Sequence, residues 1–254
     1  MAKFNPKTIF LSVLENSKIF DPSEINEVFY KIGYIKPYKD NKKIEWYDIP
    51  ISLDIETSSY YNCGQKRACM YVWTLSICGY IIMGRTWQEF IQSIELISEF
   101  YELNEYRRIV IYVHNLAYEF QFMKSYFNWL NVFALTTRKP IFALCDKGIE
   151  FRCSYLLSGY SLDNLAHNIH CVKISKLLGD LDYSKIRTWL TPLTREEKQY
   201  CINDVQVVVA YIIDLFDRGY DISTLPKQKQ DLCAITQGIT VFTVKNTEKM
   251  RRFI

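Results

Sequence analysis

The sequence predicts an α/β fold, a mixed sheet flanked by helices, and three observations carry that reading. Short apolar runs of period two alternate along the chain with longer segments of helical period, the pattern of strands interleaved with helices. The 254 residues are 49% apolar and 15% aromatic, enough for one large core or a main domain with a small appendage. No apolar run reaches membrane-spanning length, and the N-terminus MAKFNPKTIF lacks the apolar core and cleavage site of a signal peptide. An intracellular protein without a membrane partner is therefore expected.

The elements follow in order. ISLDIET, residues 51–57, reads as a strand because Ile51, Leu53 and Ile55 alternate with Ser52, Asp54 and Glu56. A polar loop is expected over 58–68, then the strands CMYVWTLSICGY and IIMGR, and a helix WQEFIQSIELISEFYEL. The strand RRIVIYVHN comes next, then a helix AYEFQFMKSYFNWL and the strand LNVFALTT. The stretch IFALCDKGIEFRCSY reads as a hairpin turning at Asp146-Lys147-Gly148. A short helix SLDNLAHNIH, a loop LLGDLDYSKIRTWLTP and a long helix complete the pattern. That last helix starts with Thr194 as N-cap and Glu197 as its capping-box partner, and its apolar stripe runs to Leu215.

Around this unit, assigned to 49–220, residues 1–48 read as a leader packed on the domain, ending in the lysine-rich KPYKDNKKIEW. Residues 221–254 read as a linker followed by the start of a further region, since the chain stops inside the basic helical pattern EKMRRFI. The eight cysteines are scattered without a C-x-x-C pair, and with only three histidines they argue for a reduced, cytoplasmic protein and against a zinc site. A net charge of +3 does not by itself predict polyanion binding, so any nucleic-acid contact has to come from a local groove.

Asp54 and Glu56 raise the first chemical question. Period two puts both acids on one face with Cα atoms about 6.5 to 7 Å apart, and like charges held that close need a cation or a raised pKa. The strand RRIVIYVHN delivers His114 and Asn115 to its C-terminal end, where open α/β sheets place ligands, and Tyr118 and Glu119 follow on a helix. On the last helix Tyr200 and Asp204 stand four residues apart on one face. Each pair alone reads as ordinary: a strand edge, a turn with a first-turn acid, a packed ring beside a solvated acid. Four carboxylates from three elements, however, can hold two divalent ions, and oxygen-only ligation suits magnesium or manganese.

The order of these motifs, D-x-E, then N-x-x-aromatic-acid, then Y-x-x-x-D, resembles the DEDD exonucleases of RNase H-like fold, in their tyrosine subclass. The phrases YVWTLSICG, GRTWQEFI, YVHNLAYEF, GDLDY and YCINDVQVVVAYI narrow this over about residues 50–220. They resemble the N-terminal 3′–5′ proofreading domain of protein-primed family B DNA polymerases of phages and linear plasmids. The resemblance implies two-metal hydrolysis of single-stranded DNA from the 3′ end, releasing nucleoside monophosphates. It assigns Asp54, Glu56, Glu119 and Asp204 to the metals (magnesium or manganese) and Tyr200 to orienting the attacking water. Thr57, Asn115, Tyr118, Ser154, Tyr155 and Tyr183 are assigned to the primer 3′ terminus and single strand.

Two departures stand out. Glu119 replaces the usual aspartate, and Leu178 replaces a lysine for which Lys173 or Lys176 is the nearest substitute. The implied partners are the primer end, a polymerase domain on the same full-length chain, and the terminal protein of such systems. The implied location is the cytoplasm, a host's if the protein is phage-encoded. Two other readings stay open: an RNase D-like exoribonuclease with the same four acids, and a catalytically weakened domain that binds a primer end or partner.

Overall fold

The computed structural model describes residues 4–14, 18–136, 138–174 and 181–225. In chain order the elements are α1 (Pro6–Leu14), β1 (Ile19–Phe20), α2 (Ile25–Ile32), β2 (Tyr38–Lys39), β3 (Glu45–Trp46), β4 (Ile51–Asn62), β5 (Gln65–Ile77), β6 (Tyr80–Gly84) and α3 (Trp87–Phe100). They continue with β7 (Arg107–Val113), α4 (Leu116–Met123), β8 (Trp129–Thr136), β9 (Lys139–Cys145), β10 (Ile149–Cys153), α5 (Ser154–Ser158), α6 (Leu162–His167) and α7 (Arg195–Asp217). The expected architecture, a mixed sheet flanked by helices, is the one observed.

The main path through the sheet is β1-β6-β5-β4-β7-β10-β9-β8, with β3 also pairing β7. β4 lies in the middle, antiparallel to β5 and parallel to β7, where Leu53 stands opposite Val113. Alternation along the strands sorts side chains into two layers. Ile51, Leu53 and Ile55 of β4 and Ile109, Ile111 and Val113 of β7 pack with α2, α3 and α4. Val110 and Tyr112 face the other way and pack with Val207, Val208, Ile212 and Ile213 of α7. Ser52, Asp54 and Glu56, the complementary set on β4, therefore face the α7 layer.

The expected loop at 58–68 is instead a ribbon. β4 continues to Asn62 and β5 begins at Gln65, with Ser58 opposite Cys69 and Tyr60 opposite Arg67. Cys63 and Gly64 make the two-residue turn, both with positive φ (47° and 75°), the conformation that suits a tight hairpin. The ribbon leaves the body of the sheet and water reaches both its faces, so SSYYNCGQKRA carries no apolar alternation for a sequence reading to detect.

α4 also ends earlier than expected. Trp129 donates its indole N–H to the Lys124 carbonyl at 2.8 Å, capping the helix end while its own backbone enters β8. The Asp146–Gly148 turn joins β9 to β10 as expected, and Ser154 opens α5 rather than extending the strand.

Residues before β4 reach into the core: Phe10, Ile25, Val28 and Phe29 are fully buried. β1 pairs in parallel with β6, and β3 with β7. On the α7 side the buried Arg152 donates to Glu150 Oε1 at 2.8 Å and to the Ile222 carbonyl at 2.9 Å. Arg108 reaches the other Glu150 oxygen at 3.3 Å, and the Arg108 and Arg152 guanidiniums flank the Trp46 ring. One buried ionic group thus ties β3, β7, β10 and the 221–225 segment together.

Among the described residues no helix is long and apolar enough to cross a membrane. The seven described cysteines are all free thiols.

Candidate metal centre

β4 presents Asp54 and Glu56 toward α7, and α7 presents Asp204 back. One oxygen from each of these three carboxylates lies within 4.8 Å of the others. The register shift between Glu56 and Thr57 marks the point where the ribbon leaves the sheet. Such an irregularity changes the aim of neighbouring side chains, and it sits next to the acid pair.

Glu119 arrives from the first turn of α4, directly after β7 ends. It is 4% exposed, and its Oε2 is buried without a hydrogen-bond partner. Burial first, and the neighbouring Asp54 charge second, hold its carboxyl well above the usual carboxylate range.

These acids line a cleft of about 420 Å³ together with Thr57, Asn115, Tyr118, Tyr183 and Tyr200. No lysine or arginine is among its described lining residues. A larger cleft of about 670 Å³ lies between α1 and the end of α7, but its acids, Asp48 and Asp217, are engaged by Tyr38 and Lys7. Chemistry rather than volume singles out the smaller cleft.

Thr57 Oγ1 and the Tyr118 hydroxyl meet at 2.5 Å in this lining. Tyr200 hydrogen-bonds the Tyr183 hydroxyl. Burial, the Asp204 charge and that hydrogen bond, in this order, push the Tyr200 phenol far up. It stays protonated and can donate. Cys201, next along α7, is buried, and burial followed by the Glu56, Asp54 and Asp204 charges drives its thiol up, so it serves as packing rather than as a nucleophile.

Ser154 and Tyr155 lie outside this lining. Ser154 Oγ sits 3.1 Å from His114 Nδ1, and the Tyr155 ring meets the His114 ring edge-on at 5.7 Å. Both stand beside the cleft by way of His114, the neighbour of Asn115. Lys173 is exposed, whereas Leu178 and Lys176 lie outside the described residues.

The sequence reading missed the residues that carry Tyr183. Arg187 is 4% exposed; its Nη1 donates to the Asp182 carbonyl at 2.7 Å and its Nε to Glu197 Oε1 at 3.0 Å. Its backbone N–H donates to Ser58 Oγ at 2.8 Å. Arg85 holds the same segment from below, reaching the carbonyls of Tyr71, Thr188 and Thr191 at 2.6, 3.0 and 2.6 Å. Glu197 is legible in the sequence as a capping-box acid, but nothing in IRTWL marks an arginine that will be buried.

No protein-family model matches the chain, and no curated protein matches its sequence. Solved structures do. A ternary complex of Phi29 DNA polymerase with primer-template DNA and incoming nucleotides superposes with a TM-score of 0.56 at 16% identity, covering 68% of this chain and 32% of the polymerase. This chain shares its fold with part of Phi29 DNA polymerase. The orthorhombic crystal form of Phi29 DNA polymerase gives a TM-score of 0.55 at 16% identity over 78% of this chain and 35% of that one. Its complex with single-stranded DNA gives 0.53 at 16% identity, covering 69% and 33%. The chain thus spans about a third of the polymerase's length.

A divalent metal fits the residues present. The donors are all carboxylate oxygens, three of them converge, and a fourth acid keeps a buried oxygen without a partner. With no basic side chain among the described lining residues, a hard cation is the simplest neutraliser of this charge.

Proposed function

We propose that this chain is a metal-dependent 3′–5′ exonuclease acting on single-stranded DNA, the proofreading part of a protein-primed polymerase. The observation that carries the reading is the convergence of Asp54, Glu56 and Asp204 beside Glu119 and a half-buried, hydrogen-bonded Tyr200 in one cleft. The structural likeness to a polymerase solved with primer-template and with single-stranded DNA supports DNA over RNA as the substrate.

Asp54, Glu56, Asp204 and Glu119 would hold magnesium or manganese. The metal would supply Lewis-acid stabilisation of the phosphate and a water nucleophile at neutral pH. The protein's own groups do the rest. The Tyr200 phenol, kept protonated, turns its single O–H from Tyr183 to the attacking water and fixes its line of approach. Thr57, Asn115 and Tyr118 hold the terminal nucleotide, with the Tyr118 ring 43% exposed and free to take a base face. Water adds to the last phosphodiester phosphorus, the bond to the preceding 3′ oxygen breaks, and that oxygen leaves with a proton as a nucleoside monophosphate departs.

Such contacts meet sugar, phosphate and ring faces, so base identity matters little. A polymerase domain on a longer chain, and the terminal protein that primes it, are the partners this reading names. Matched DNA and RNA oligonucleotides offered in parallel test the substrate: faster loss of DNA supports the proposal, and faster loss of RNA replaces it with an RNase D-like activity.

A further inference from the structure

We propose that Arg187 is a positioning residue for the two phenols of the site, fixing Tyr183 against Tyr200 from outside the cleft. This rests on the exonuclease reading for its consequence but not for its geometry. Tyr183 is 66% exposed and sits in a segment without helix or strand, so its own packing does not determine where its hydroxyl lies. Its place is set by what holds the backbone on either side.

Arg187 supplies most of that hold. Nη1 donates to the carbonyl of Asp182, the residue before Tyr183. Nε and Nη2 donate to one oxygen of Glu197, at 3.0 and 2.5 Å. The other Glu197 oxygen caps α7 by accepting the Thr194 N–H at 2.9 Å, and Glu197 stands three residues before Tyr200. The guanidinium therefore joins the residue preceding one phenol to the helical turn that carries the other.

The same arginine also registers this pair against the acids. Its backbone N–H bonds Ser58 Oγ, two residues past Glu56, and its guanidinium lies 5.7 Å from the centre of the Tyr71 ring on β5. The Tyr183 segment and α7 thus meet at the Arg187 side chain, and its backbone N–H adds the β4 ribbon, while the residue touches no reacting atom. A lysine cannot reproduce this: its single ammonium has no planar fork to span the Asp182 carbonyl and Glu197 together.

The test is a kinetic cycle on a 5′-labelled single-stranded DNA oligonucleotide with magnesium or manganese, using Arg187→Lys, Tyr183→Phe and the double variant. Arg187→Lys is expected to lower kcat about 10²-fold with KM little changed, the scale on which a misplaced catalytic group acts. The same change in the Tyr183→Phe background is expected to cost little more. Equal losses in both backgrounds would overturn the proposal, because an arginine that only stabilises the fold does not depend on the Tyr183 hydroxyl.

Should Arg187→Lys fail to fold, Glu197→Gln weakens the same grip while keeping an acceptor, and the same non-additivity is expected of it. Should the wild type degrade nothing, the exonuclease reading fails, and tyrosine ζ-carbon NMR still decides the geometry. The Tyr200 resonance, assigned through Tyr200→Phe, is expected to move alike in Tyr183→Phe and Arg187→Lys. A Tyr200 resonance that Arg187→Lys leaves in place would refute the positioning role.

Discussion

Glu119 shows at the scale of one residue how a site can be built against stability. Its carboxylate is buried beside Asp54 and one oxygen has no partner, so the folded state favours its protonated form. A carboxyl whose folded pKa lies above its unfolded value of about 4.3 contributes stability that is complete below that value and lost as pH rises through the folded pKa. Metal-free protein is therefore predicted to lose stability over that rise, and Glu119→Gln to flatten this limb, as read from thermal unfolding against pH in a chelator. Identical pH profiles for the two proteins would contradict the assignment. Tyr200→Phe removes the donor without removing an acid, and we expect kcat to fall about 10²-fold with KM unchanged. The acids were legible because D-x-E and Y-x-x-x-D put like-facing groups at strand and helix spacings. Arg187 was not, because its burial arises from three segments meeting, which no local pattern records.

Elements set the aim of these groups. β4 faces Asp54 and Glu56 toward α7 because its alternate residues, Ile51, Leu53 and Ile55, are claimed by the α3 and α4 layer. α7 was readable almost to its ends, since Thr194 and Glu197 form the capping box the sequence implied. Thr194→Ala should cost about 1 kcal/mol in chemical denaturation. The ribbon beyond Ser58 escaped detection for the opposite reason: with solvent on both faces, its ladder is carried by backbone hydrogen bonds and a Cys63-Gly64 turn instead of apolar alternation. The Glu150 group gives a sharper test at this scale. Glu150→Ala strands the Arg152 guanidinium at 2% exposure, and loss of one partner of a buried pair costs about 3–5 kcal/mol. Urea unfolding should show that loss, whereas a change below about 1 kcal/mol, the range of exposed pairs, would mean that water reaches the arginine.

For the whole molecule, a mixed sheet between two helical layers brings three distant stretches of chain to one cleft, and the fold is that of part of Phi29 DNA polymerase. Sequence order alone indicated this architecture, because strand and helix periods alternate wherever the sheet is covered. It left the contribution of residues 4–48 to the core unread, although Ile25, Val28, Phe29 and Ile32 of α2 carry a helical spacing, because their helices have only nine and eight residues and their strands two. If the acid cluster is a metal centre, magnesium or manganese must stabilise the fold, by about 2.7 kcal/mol at a hundredfold excess over the dissociation constant. A rise in unfolding temperature is predicted for wild type and not for Asp54→Ala with Glu56→Ala. The most direct test of the central claim uses the same pair of proteins on a single-stranded DNA oligonucleotide labelled at its 5′ end, with either metal. A ladder shortening from the 3′ end in the wild type and absent in the double variant is the predicted result; folded wild-type protein that yields no ladder with either metal, or a ladder that survives loss of both acids, would contradict it.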